Sequence, residues 1–164
     1  CTHALPEPVG VHMIYVHDAR ELEKAVNAQY DDCDALVMAA AVSDYRPAVR
    51  AENKIKKEQH DHLNIELTEN PDILYGLGQK KTHQFLVGFA AETRDVIEYG
   101  KAKLAKKNLN LLVANDVAQQ GAGFNVSTNI AALIYKDGHI EQYLKMTKDD
   151  LGHIIIEKIA EGIN

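Results

Sequence analysis

Short unbroken apolar runs alternate along this chain with stretches whose apolar residues recur at every third or fourth position. That is the signature of strands interleaved with amphipathic helices. Val11–Val16 reads as a short strand rich in β-formers. Asp18-Ala-Arg-Glu21 then has the form of a capping box, opening a helix with Leu22, Ala25 and Val26 on one face. Asp34–Ala41 is a strand apolar on both faces, as in a parallel sheet covered by helices. Leu63–Leu67 alternates, which predicts an edge or half-exposed strand. Asn70 as N-cap and Pro71 at the first helical position open a helix with the stripe Ile73, Leu74, Leu77. Phe85–Ala90 is a buried strand, Val96–Lys107 a helix, and Leu109–Ala114 a strand ending in Asn115-Asp116. Ile130–Tyr135 and His139–Tyr143 flank Lys136-Asp-Gly138, a strong hairpin signal. Thr147 caps a last helix whose inner face is Leu151, Ile154, Ile155 and Ile159. The order predicts an α/β, three-layer fold: a mostly parallel sheet with an antiparallel C-terminal hairpin.

Length and composition change this picture little. The 164 residues, 46% hydrophobic and 26% charged, fit one ordinary globular domain. No apolar run nears the roughly 20 residues of a membrane span, so no membrane partner is expected. A net charge of −6 without a long basic block argues against nucleic acid as a partner. Cys1 and Cys33 show neither metal spacing nor a disulfide framework, which points to a reducing cytoplasm. The opening Cys1-Thr-His-Ala-Leu-Pro-Glu-Pro8 lacks an initiator Met and reads as a loop leaving an earlier strand, so an N-terminal portion is expected to be missing.

The candidate chemistry gathers after strand ends. Ala39–Val42 are small residues beyond an apolar strand, followed by Ser43, Asp44, Tyr45 and Arg46, with Lys54–Lys57 a few residues on. Open α/β sheets bind ligands at strand carboxyl ends, where small side chains let a ligand approach the backbone. Carboxylate and ammonium groups together suit a ligand with hydroxyls and phosphates, hence a nucleotide. Asp44 suits ribose hydroxyls, a base amine or Mg²⁺, or else is a loop carboxylate satisfying nearby backbone. Lys54 suits phosphates, while Lys56 and Lys57 read as a solvated face. Asn70-Pro-Asp72 offers a helix N-terminus to a phosphate, or is only a cap. Lys103 and Lys107, at i and i+4, repel mildly and are better explained by an anion near both. Phe89, after Gly88, flanks a base or packs in the core. His60-Asp-His62 is a surface loop. Gly76-x-Gly78 and Gly121-x-Gly123 lack the strand–turn–helix setting of a dinucleotide fingerprint, which disfavours a nicotinamide- or flavin-dependent oxidoreductase. A polar, lysine-rich segment from about Arg46 to His62 is expected to order over ligand.

Ala-Ala-Val-Ser-Asp-Tyr-Arg-Pro, Lys-Ile-Lys-Lys, Asn-Pro-Asp-Ile, Gly-Phe-Ala-Ala-Glu-Thr, Val-Ala-Asn-Asp-Val and Gly-Phe-Asn occur in this order. Together they resemble the synthetase domain of bacterial phosphopantothenoylcysteine synthetase (phosphopantothenate–cysteine ligase), the ligase half of the bifunctional coenzyme A biosynthesis flavoprotein. The resemblance implies a Rossmann-like fold, a homodimer, CTP as co-substrate and Mg²⁺. The implied reaction activates 4′-phosphopantothenate as an acyl-cytidylate with release of pyrophosphate. Cysteine then attacks, giving 4′-phosphopantothenoylcysteine and CMP. By the same resemblance Asp44 and Phe89 contact the nucleoside; Lys54, Lys103 and Lys107 meet the phosphates. Pro71, Asp72, Ile73 and Leu74 present the helix N-terminus, and Ala40 lines the intermediate pocket. FMN is implied only for a decarboxylase domain fused upstream. The resembled family also opens with a strand, a Gly-rich turn and an Asn-containing Ser-Ser-Gly loop that this chain does not contain, so the chain alone is expected to be inactive. ATP in place of CTP, and a non-catalytic nucleotide-binding module, are the alternatives kept open.

Overall fold

The computed structural model describes residues 7–56, 62–92, 95–116 and 126–163. Cys1, Lys57, His60, Thr93, Val117, Gly121 and Gly123–Asn125 lie outside the described residues. In chain order the elements are α1 (Ala19–Tyr30), β1 (Ala35–Met38), β2 (Tyr45–Pro47), β3 (Leu67–Glu69), α2 (Ile73–Lys80), β4 (Phe85–Glu92), α3 (Val96–Lys106), β5 (Leu111–Asp116), β6 (Thr128–Tyr135), β7 (Ile140–Thr147) and α4 (Lys148–Ile163). They fall into two compact units. One comprises residues up to Val26 with Ala41–Asp72, the other Asn27–Ala40 with the chain from Ile73 onward.

The larger unit is a five-stranded sheet in the order β1-β4-β5-β6-β7. β4 pairs in parallel with both β1 and β5, while β6 and β7 continue antiparallel. The resulting layers are the expected α/β, Rossmann-like arrangement with an antiparallel C-terminal hairpin. Alternation decides which helix covers which face. Phe85, Val87, Leu111, Val113, Ala131 and Leu133 cluster with Leu151, Ile155 and Ile159 of α4. The opposite face carries Leu86, Leu112 and Ala114 and receives α2 and α3. There a Cβ on Gly88 would sit 3.0 Å from Leu74 Cδ2, and one on Gly100 would lie 2.4 Å from Ile134 Cδ1. Leu86, Val87, Leu111, Leu112, Val113, Leu133 and Ile134 are all at 0% exposure. Each such burial contributes roughly 2 kcal/mol relative to an exposed side chain.

The helix and hairpin signals hold. Asp18 Oδ1 accepts the Arg20 and Glu21 N–H groups at 2.9 Å, and Glu21 Oε2 accepts the His17 N–H at 2.7 Å. Thr147 Oγ1 accepts the Asp150 N–H at 3.0 Å. At the β6–β7 turn Gly138 takes φ 92°, its N–H bonds the Tyr135 carbonyl, and the Asp137 carboxylate holds the His139 N–H. No helix among the described residues is long and apolar enough to cross a membrane. Cys33 is a free thiol that donates to the Tyr30 carbonyl and is pushed up in pKa mainly by burial.

Four expectations are corrected. Val11–Val16 is not a strand: among the described residues it pairs with no other segment, and its Met13, Ile14 and Tyr15 are exposed, because β-propensity without a partner strand makes no sheet. Leu63–Leu67 pairs only from Leu67, where β3 meets β2 in the register Pro47↔Leu67 to Tyr45↔Glu69. The Asn70-Pro71 helix start moves to Ile73, since the Asn70 amide is spent elsewhere. β1 is not buried on both faces: it is the edge strand, with Val37 at 42% exposure.

A polar cluster fastens the hairpin to α4. Glu141 accepts the Tyr143 hydroxyl and, at 3.0 Å, the Tyr135 hydroxyl, and its Oε1 lies 3.5 Å from Lys158 Nζ. The Tyr143 hydrogen bond, against some desolvation, holds the Glu141 carboxyl below the usual carboxylate range, and burial lifts the Tyr135 phenol.

Two expectations follow. A depressed folded pKa contributes stability above the ordinary glutamate range and loses it as pH falls through the folded value. Glu141→Gln should therefore cost about 1 kcal/mol at pH 7, a cost that shrinks as pH falls below the ordinary glutamate range; parallel pH–stability curves for variant and parent would refute this. Second, a Cβ on Gly78 would lie 2.0 Å from the Lys107 carbonyl oxygen, a backbone atom that cannot swing away, whereas Gly76 faces open space. Gly78→Ala should destabilise by about 2 kcal/mol through overpacking, and Gly76→Ala should be neutral or stabilising by up to about 1 kcal/mol, both read as urea midpoints.

Candidate functional site

Parallel strands joined by crossover helices place strand carboxyl ends and helix N-termini on one edge of a sheet. In the larger unit that edge carries Ala39 and Ala40 after β1, Ala91 at the end of β4, Asn115 near the end of β5, and the starts of α2 and α3. Ala40 is exposed, leaving its backbone open to close approach. Ile73 and Leu74 are buried, so what this helix start can offer a ligand is its unpaired N–H groups rather than those side chains. Gly88 is what lets Leu74 settle this close to the sheet.

α3 begins differently. Asp95 stands in the left-handed region at φ 46° and ψ 39°, and its side chain makes no cap hydrogen bond. Its carbonyl accepts the Tyr99 N–H at 3.0 Å. The residue types before α3 carry no signal of this, because Asp reads as an ordinary cap. On the same edge the buried Asn129, 5% exposed, donates from Nδ2 to Asn115 Oδ1 at 3.0 Å, and its own Oδ1 accepts the Ile130 N–H. The pair sits where the β6–β7 register shifts between Asn129 and Ala131. Sequence reading missed Asn129, since an Asn opening an apolar run looks like a turn residue.

Three expected site residues lie elsewhere in this unit. Phe89 points to the α4 face and packs, half-buried, against the core cluster, so its packing role is realised. Lys103 stands in the last turn of α3, and Lys107 closes the helix with its N–H on the Lys103 carbonyl. Both are half-buried and already engaged, beside the Gly78 turn near the amino ends of β4 and β5. A helix C-terminus favours cations through its dipole, which accounts for the pair without an anion.

The smaller unit carries Asp44, Lys54, Pro71 and Asp72. Its β2–β3 ribbon is tied by two side chains, Arg46 and Asn70, the second of which the sequence reading took for a helix N-cap. Arg46 donates to the Glu69 carbonyl and, at 3.2 Å, to Asn70 Oδ1. Asn70 Nδ2 donates to the Ser43 carbonyl at 2.8 Å and its backbone N–H to the Asp44 carbonyl at 2.7 Å. Asp44 is thus held by its backbone while its carboxylate stays exposed. Lys54 is exposed, Pro71 half-buried and Asp72 exposed. Of the segment expected to order over ligand, Arg46 and Pro47 belong to β2, and residues 57–61 lie outside the described residues. Among the described residues no three or more His, Cys, Asp or Glu side chains gather as a metal cage.

Comparison with known proteins is consistent across methods of likeness. A family described as the DNA/pantothenate metabolism flavoprotein C-terminal domain matches residues 1–163. The chain is 44% identical over 158 residues to the coenzyme A biosynthesis bifunctional protein CoaBC of Bacillus subtilis (strain 168), covering 96% of this chain and 39% of that protein. It is 41% identical over 161 residues to CoaBC of Escherichia coli (strain K12), again covering 96% of this chain and 39% of the relative. The chain thus spans about two-fifths of the length of these relatives. Among solved structures, the C-terminal domain of a CoaBC protein superposes with a TM-score of 0.78 at 35% identity, covering 95% of this chain and 68% of that one.

The ribbon geometry has a local consequence. Asn70→Ala removes the Arg46 and Ser43 hydrogen bonds, at about 1 kcal/mol each. Amide exchange at Ala48, whose N–H bonds the Glu66 carbonyl at 2.9 Å, should accelerate by about fivefold or more. Unchanged exchange there would mean that the Asn70 amide does not hold the ribbon.

Proposed function

The chain belongs to the DNA/pantothenate metabolism flavoprotein C-terminal domain family, and from that premise we propose that it carries the phosphopantothenate–cysteine ligase activity of coenzyme A biosynthesis. The observation that carries this reading is the match over 96% of the chain to bifunctional coenzyme A biosynthesis proteins. The carboxyl edge of the sheet supports it, with helix starts and small residues suited to a phosphorylated ligand. The proposed co-substrate is CTP. A carboxylate oxygen of 4′-phosphopantothenate attacks the α-phosphorus, and the bond to pyrophosphate breaks. The amine of cysteine then attacks the acyl carbon, CMP leaves, and the amine proton passes to solvent.

Such chemistry needs positioning and cations on phosphate more than covalent help. In this reading the exposed Lys54 supplies an ammonium to the phosphates, while Pro71 sets the approach to the α2 start and Asp72, Ile73 and Leu74 present its N–H groups. Asp44 takes the nucleoside hydroxyls or base amine, its backbone held by Asn70. Ala40 gives the acyl-nucleotide room against backbone. Phe89, Lys103 and Lys107 are assigned to the nucleotide by resemblance alone; Phe89 packs against the α4 face, and the two lysines stand at the C-terminal end of α3. Mg²⁺ needs only one or two carboxylates when phosphates supply the other oxygens. The exposed Asp44 fits that modest requirement, and the ion would neutralise phosphate charge. A homodimer in the cytoplasm, and a fused or associated FMN-dependent decarboxylase that consumes the product, complete the proposal.

The test is calorimetric titration with CTP and with ATP, each with Mg²⁺, on parent and Lys54→Ala. Binding of CTP over ATP, weakened tenfold or more by Lys54→Ala, is the expected result. Equal affinity for both nucleotides would remove CTP selectivity, and no loss in the variant would remove Lys54 from the site. Nucleotide affinity without turnover in the presence of 4′-phosphopantothenate and cysteine would favour a binding module.

A further inference from the structure

The amino edge of the larger unit, opposite the strand carboxyl ends, brings together three turns: α2–β4, α3–β5 and β6–β7. Each contributes a polar group to one place. Lys81 Nζ donates to the Asn108 carbonyl at 2.6 Å and to Asn110 Oδ1 at 2.9 Å. Lys136 Nζ donates to Asn108 Oδ1 at 3.3 Å. Asn110 Oδ1 also accepts the Leu86 N–H at 3.0 Å, and Asn108 Nδ2 donates to the Gly78 carbonyl at 2.9 Å. Two ammonium groups therefore converge on one asparagine, which is itself pinned in the left-handed region at φ 51°.

Among the described residues no carboxylate pairs with either lysine. Of the two acids in the neighbouring cavity wall, Asp137 accepts the His139 N–H and Glu161 pairs with Lys158 at 3.2 Å. Lys81 is half-buried, and desolvation first, then repulsion from Lys136, lowers its pKa. Two cations held by neutral acceptors, one partly out of water, are a poor arrangement unless an anion joins them. There is room for one. Asn110 and Lys136 line a cavity of about 310 Å³ whose walls also include Tyr135, Lys158, Asp137 and Glu161; Lys81 meets it through its hydrogen bond to the Asn110 side chain. Lys81 has one ammonium proton left uncommitted and Lys136 has two.

We propose that Lys81, Lys136 and the cavity beside Asn110 form a second anion site at the amino edge, independent of Lys54 and the α2 start, for a small multivalent oxyanion of the phosphate class. Such an ion ties the three turns at the amino edge together. It binds to the folded chain alone and so raises its stability.

The experiment is titration of the whole chain with pyrophosphate, inorganic phosphate and phenyl phosphate at matched ionic strength, by calorimetry and by thermal midpoint. The expected result is a saturable binding event that persists in Lys54→Ala, with a rise in the midpoint. Affinity should fall about tenfold or more in Lys136→Gln, an exposed position where folding is not at risk, and in Asn110→Asp, which places a competing carboxylate on Lys81. Lys54→Ala should bind as the parent does, which separates this site from the proposed nucleotide site. Phenyl phosphate binding more tightly than inorganic phosphate would assign an esterified ligand, and the reverse order the free ion. Absence of binding, full affinity in Lys136→Gln, or loss in Lys54→Ala would each overturn the proposal.

Discussion

Parallel pairing of β4 with both β1 and β5 constrains the rest of the larger unit. Two parallel neighbours demand two crossovers, and each crossover helix must start at the carboxyl edge and finish at the amino edge. α2 and α3 are thereby committed to one face of the sheet, and they approach it at Gly88 and Gly100, where a Cβ would collide with Leu109 at 2.7 Å and Ile134 at 2.4 Å. α4 takes the other face by default, over Val87, Val113 and Leu133. A carboxyl edge rich in backbone N–H donors and an opposite edge rich in lysine are two outcomes of the same wiring.

Asparagine recurs as the fastener of this protein. Asn70 ties the ribbon, Asn129 joins Asn115 on the carboxyl edge, and Asn108 and Asn110 bind three turns on the amino edge. An amide both donates and accepts without carrying charge, so it can join backbone groups of opposite polarity while partly buried. A carboxylate at Asn70 could not donate to the Ser43 carbonyl. The Arg46 side chain works alongside, using its planar fork on the Glu69 carbonyl and the Asn70 side chain.

What could be read in advance follows physical range. α4, the β6–β7 hairpin and the capping box at Asp18 are decided within a few residues, and the residue types announced them. Buried strands such as Phe85–Ala90 were legible because both faces are covered and apolar. Val11–Val16 misled because a strand is a property of two segments, only one of which the eye sees. β2 was invisible for the same reason: Tyr45-Arg46-Pro47 pairs with Leu67–Glu69 across some twenty residues. The carboxyl-edge position of Ala40 was legible from strand order. The amino-edge setting of Lys103 and Lys107 was not, because helical spacing gives a face but not an end.

β1 and β4 register Ala35 with Phe85, yet between β1 and α2 the chain departs into Ala41–Asp72, the part of the smaller unit that holds its small sheet. Closing a loop costs only as the logarithm of its length, about 0.6 kcal/mol for each doubling. The sheet is therefore nearly indifferent to how long that excursion is. Insertions and deletions there are almost free for the scaffold, so lineages can remodel the segment bearing Asp44 and Lys54 while Leu86, Val87 and Leu112 stay as they are.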